Sequence, residues 1–73
     1  MSDKEKTIIA LEIEVANALM RKWKKTPKEF VNIDKKVNIL EYVDKHYEIL
    51  HLMGIEGIIE DVEDYIANKG VVI

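Results

Sequence analysis

Residues 8–23 read IIALEIEVANALMRKW, and the spacing of their apolar positions decides the fold class. Ile9, Ile13, Ala16, Met20 and Trp23 recur at steps of three and four, and Ile8, Leu11, Val15 and Ala18 form a second row beside them. Each helical residue turns the chain by roughly 100°, so such steps stack side chains on one face. The spacing predicts a helix from about Lys4 to Lys25. Together the two rows cover about half its circumference, more than a surface helix needs, which places this helix at the centre of the core.

Downstream, Thr26-Pro27-Lys28-Glu29 is a helix start: Thr26 can cap, Pro27 has the backbone angle of a first helical residue, and Glu29 completes a capping box. Phe30, Val31 and Ile33 follow, and the charged run Asp34-Lys35-Lys36 reads as the end of a short helix. Ile39, Leu40, Val43, Tyr47 and Leu50 then resume a helical period from Val37 onward, with a break expected near Asp44-Lys45-His46. Gly54 closes that segment. Ile55, Ile58, Ile59, Val62, Tyr65 and Ile66 form the apolar stripe of a last helix, opposite Glu56, Glu60, Glu63 and Asp64, and Gly70 after Asn68-Lys69 is its stop. The expected architecture is all-α: a single domain over residues 1–73, a compact bundle of about four helices, two of them short.

The chain has 73 residues, 48% hydrophobic and 34% charged, which suffices for one core and excludes a disordered composition. It has no cysteine, so disulfide staples and thiolate chemistry are absent and a reducing, cytoplasmic setting is expected. The charged start at Asp3, Lys4, Glu5 and Lys6, with Glu12 and Glu14 soon after, does not read as a signal peptide, and no apolar run is long enough to cross a bilayer. Catalytic apparatus is not legible. Ser2 is the sole serine, no glycine-rich phosphate loop occurs, and His46 and His51, five residues apart on a helix, would point apart rather than share a metal. The expectation is a protein that is not an enzyme, holds no metal and carries no cofactor.

Glu12 falls inside the apolar arc of the first helix, between Ile8, Leu19 and Trp23. A buried, unpaired carboxylate costs on the order of several kcal/mol, so a partner is required. His51, His46 and Tyr47 are the candidates, and the pair Glu12–His51 is the one expected, as an internal polar contact that fixes how the helices register. A second feature is electrical. Residues 21–36 carry seven positive charges against Glu29 and Asp34, a local +5 in a chain of net charge −3, so the remainder holds −8. Arg21, Lys22, Trp23, Lys24, Lys25 and Lys28 therefore form a candidate surface for a protein partner or, through phosphate contacts and indole stacking, for a nucleic acid. The apolar end Val71-Val72-Ile73 is expected to pack on the first helix or on another copy, which makes a homodimer a reasonable arrangement.

Residues 38–51, NILEYVDKHYEILH, and 58–66, IIEDVEDYI, share a pattern: Tyr-Glu-x-Leu-His, a short glycine-containing link, then an acidic helix ending in Tyr-Ile. With the apolar first helix and its embedded glutamate, this pattern resembles a family of short bacterial proteins of unknown function over most of the chain. The resemblance implies a small helical protein without assigned activity. Some such proteins are encoded beside ADP-ribosyltransferase-like, toxin-type genes, which implies an antitoxin-like or accessory role. The chain departs from the pattern at Leu52-Met53-Gly54, and in its longer basic segment before Thr26. The functional expectation is a protein-interaction module. The alternative is a small nucleic-acid-binding protein using the segment Arg21 to Lys36, and added salt would separate the two because phosphate contacts are strongly salt-dependent.

Overall fold

The computed structural model describes residues 2–71. Among these, five helices and no strand are found: α1 (Asp3–Trp23), α2 (Pro27–Val37), α3 (Ile39–Lys45), α4 (Tyr47–Leu50) and α5 (Ile55–Asn68). The fold is an all-α small domain, as expected. No helix among the described residues is long and apolar enough to cross a membrane.

Local chemistry sets each boundary. The Ser2 side chain accepts from the Glu5 N–H at 3.2 Å and starts α1. Lys24 ends it in the left-handed conformation (φ 56°), letting the Lys25 N–H reach back to the Met20 carbonyl at 2.9 Å. The Thr26–Glu29 capping box forms with both reciprocal bonds, at 2.9 and 3.2 Å. Contrary to the reading of Asp34-Lys35-Lys36 as a stop, α2 runs through it to Val37. Phe30, Ile33 and Val37 share one face, and Val37 is fully buried, so the charged run lies along the outer side of a continuing helix. The stop is Asn38, left-handed at φ 55°. The Asp34 side chain then accepts from the Leu40 N–H at 3.0 Å, so a residue of α2 caps the start of α3.

The segment read as one third helix is two. A single residue, His46 (φ −106°, ψ 19°), separates α3 from α4, within the stretch where a break was expected. The helix count is accordingly five rather than about four.

α1 packs against α2, α3 and α5 and is the central helix. Its buried residues are Val15 and Leu19, with Leu11, Ala16, Ala18, Met20 and Trp23 packed partly buried beside them. The broad arc is not uniformly covered, since Ile9 and Ile13 remain 41% and 57% exposed. α5 contributes Ile58, Ile59, Val62 and Ile66 to the core, more than any other helix. Among the described residues, no polar or charged residue is buried.

Candidate functional site

Glu12 is half-buried, but its surroundings differ from expectation. It lines a groove of about 310 Å³ with Glu5, Ile8, Ile9 and Asp44. Partial burial raises its carboxyl pKa, and the like charges of Asp44 and Asp34 push in the same direction. No hydrogen bond or ion pair joins Glu12 to His51. His51 is exposed, its ring lying flat on Tyr47 with centroids 4.8 Å apart and an interplanar angle of 11°. The expected Glu12–His51 pair is thus corrected. α3 brings Asp44 to the flank of α1, while His51, one turn beyond the buried Tyr47, lies past the end of α4. His46 is likewise exposed and rests against Tyr42 at 4.6 Å. No group of three potential metal ligands occurs among the described residues.

In the basic segment, the Lys22 ammonium pairs with Glu63 Oε1 at 2.5 Å, and the half-buried Trp23 donates its indole N–H to Glu63 Oε2 at 3.1 Å. Lys22 holds the Glu63 carboxyl below its ordinary range, with Trp23 assisting and partial burial opposing. One acidic residue of α5 therefore occupies two members of the basic surface. Phe30, the other aromatic in this segment, is 4% exposed. Arg21, Lys24 and Lys28 remain at the surface, and the half-buried Lys25 joins Trp23, Ile66, Ala67 and Val71 around a groove of about 360 Å³. Val71 itself is half-buried and packs on the core; Val72 and Ile73, the rest of the expected contact, lie outside the described residues.

A third cluster was not read from the sequence. The Tyr42 and Tyr65 rings meet tilted at 4.1 Å, His46 rests against Tyr42 at 4.6 Å, and the Lys69 ammonium sits 4.9 Å from the Tyr65 centroid. Tyr42 donates to Asp61 at 2.5 Å, and Tyr65 to the Val37 carbonyl at 2.6 Å. Burial together with the bond to Asp61 pushes the Tyr42 phenol up to about 12. The signal available was the i, i+4 spacing of Tyr42 with His46 and of Tyr65 with Lys69. These contacts tie α5 to the corner between α2 and α3, and Tyr42, His46, Tyr65 and Lys69 line a groove of about 400 Å³ there. The exposed large apolar residues lie elsewhere, the most exposed being Ile49 at 65% and Leu52 at 79%, on α4 and in the link to α5.

A family model described as "Protein of unknown function (DUF3791)" matches residues 11–69. The chain belongs to the DUF3791 family. The match is to an uncharacterised family, as the resemblance at residues 38–51 and 58–66 implied. Glu12, the Trp23–Glu63 contact and the tyrosine cluster all fall inside the DUF3791 region, whereas the Ser2 cap, the Lys4 partner of Glu48 and Val71 fall outside it. No curated protein and no solved structure matches the chain.

Proposed function

We propose that this DUF3791 chain is a non-catalytic protein-interaction module that docks a partner on the surface formed by α4 and its link to α5. The observation that carries the reading is the exposure of Ile49 and Leu52, with Met53 beside them, three large apolar residues within five positions. Scattered exposed aliphatics are ordinary, but a local group of this kind marks contact surfaces. The partner is an enzyme to which the chain is an accessory or antitoxin-like subunit, the role that the resemblance implies. Nucleic-acid binding by Arg21, Lys22, Trp23, Lys24, Lys25 and Lys28 has less support, because Glu63 engages Lys22 and the Trp23 indole.

The test compares wild type with Ile49→Asp and Leu52→Asp in pull-downs from lysate of the native host, after nuclease treatment and at moderate salt. One stoichiometric protein retained by wild type and lost by both variants, with helical circular dichroism unchanged, supports the reading. Equal retention by all three removes this surface from consideration. Capture that disappears with nuclease returns the function to the basic segment.

A further inference from the structure

A second surface carries both signs of charge in separate rows. Between α1 and α5 runs a groove of about 390 Å³ whose apolar floor is Ala18, Ile55 and Ile59. Arg21 and Lys22 line it from α1, and Glu56 and Glu60 line it from α5. The two acidic residues are one helical turn apart, so they form a row along the groove. Lys22 is held by Glu63, but Arg21, Glu56 and Glu60 are exposed and take part in no ion pair or side-chain hydrogen bond among the described residues. Unpaired charges of opposite sign thus face solvent on opposite banks of one apolar groove.

This arrangement has a geometric consequence. When two copies of the groove are brought face to face by a twofold axis running along it, the α1 bank of one copy lies over the α5 bank of the other. Arg21 then meets Glu56 and Glu60 of the second copy, the reverse pairing occurs at the same time, and the two apolar floors are covered together. An isologous contact of this kind requires a self-complementary surface, and a bank with the free cation Arg21 opposite a bank with the acidic row Glu56 and Glu60 is one. Any axis that put α1 on α1 would oppose like charges.

We infer that the α1–α5 groove is a homodimer interface, with Arg21 of each copy paired across the twofold to Glu56 and Glu60 of the other. The inference is independent of the Ile49–Leu52 surface and of the partner proposed for it.

The experiment is sedimentation of the whole chain across a concentration series up to about 1 mM, at low and high salt. Wild type is expected to show a reversible monomer–dimer equilibrium that weakens with salt, as exposed ion pairs do. Arg21→Glu and Glu60→Arg are each expected to weaken it at least about tenfold, since each places like charges across the axis. An equimolar mixture of the two variants keeps Arg21 against Glu56 and Glu60 at one contact and sets the swapped 21/60 charge pair, with Glu56 beside it, at the other, and is expected to form a heterodimer tighter than either variant's homodimer though weaker than the wild-type dimer. Both side chains are exposed, and unchanged circular dichroism confirms that the variants fold. Wild type that stays monomeric throughout, association insensitive to both substitutions, or variants that do not associate when mixed would each overturn the inference.

Discussion

The division of α1 into a covered and an uncovered row makes a quantitative prediction from two substitutions on one helix. Leu19 is 0% exposed and Ile13 is 57% exposed, although the sequence puts both in the apolar arc. Leu19→Ala removes three buried carbons, about 2.4 kcal/mol at roughly 0.8 kcal/mol each. The void left in the core cluster that Leu19 shares with Val15 and Val43 adds to this, giving about 3–4 kcal/mol in all. At roughly 0.05–0.15 kcal/mol per residue a domain of this length has about 4–11 kcal/mol of stability, so this one change removes a large share. Ile13→Ala gives up little burial, and alanine's better helix propensity offsets part of that, so the net change is within about 0.5 kcal/mol. Urea unfolding followed by helical circular dichroism reads both, with the slopes checked for equality so that the midpoints compare stability. The thermal midpoint should fall by roughly 12 °C or more for Leu19→Ala and by only a few degrees for Ile13→Ala. Equal losses for the two variants would refute the assignment of the faces of α1.

Three further outcomes follow from particular contacts. The Glu12 carboxyl is raised above the ordinary carboxylate range by burial, Asp44 and Asp34, so the folded chain binds its proton more tightly and ionisation opposes folding at neutral pH. Glu12→Gln should therefore be more stable than wild type at pH 7, with the advantage shrinking as pH falls through the raised pKa and gone below the ordinary carboxylate range; urea midpoints across that interval check the sign. At Asn38, held left-handed between α2 and α3, glycine should be nearly neutral while Asn38→Val costs about 1–2 kcal/mol, read by thermal unfolding. Gly57→Ala should stabilise by about 0.5–1 kcal/mol on helix propensity, because the one close contact of the new methyl is the Met53 Cε at 3.2 Å, the far end of a flexible side chain, with the Met53 Cβ at an ordinary 3.8 Å; a lower thermal midpoint would show that Met53 cannot give way.

Features governed by neighbours in sequence were legible, and those set by tertiary contact were not. The Thr26–Glu29 box forms as read because both bonds lie within three residues. Asp34-Lys35-Lys36 was misread as a stop because a charged run on the outer face of a helix resembles a break until the burial of Val37 beyond it is known. Glu12, read from the sequence as a carboxylate inside the apolar arc, is half-buried in a groove that Glu5 and Asp44 share. Its neighbour, however, depended on which side of α3 meets α1, and that side presents Asp44. The Trp23–Glu63 and Tyr42–Asp61 bonds span 40 and 19 residues, and no local pattern encodes them. Trp23 itself was expected at the end of its stripe and is half-buried there. Sequence identified the charges of the basic segment but not the exposure of Ile49 and Leu52. It did not show that Glu63 engages part of the basic surface.

The position of α5 in the chain also bears on how the protein is made. α5 supplies four core residues, the acceptors for Lys22, Trp23 and Tyr42, and the phenol that reaches Val37. All of its partners are synthesised earlier. While a ribosome is still adding residues before Ile58, α1 can meet α2 and α3 but lacks the part of its cover that α5 supplies, and that part of its apolar side stays open. Closure then requires contacts across some forty residues, farther apart in sequence than those of α1 with α2 or α3. The nascent chain is therefore exposed to chaperones and to misassociation through α1 until residue 66 is free to pack.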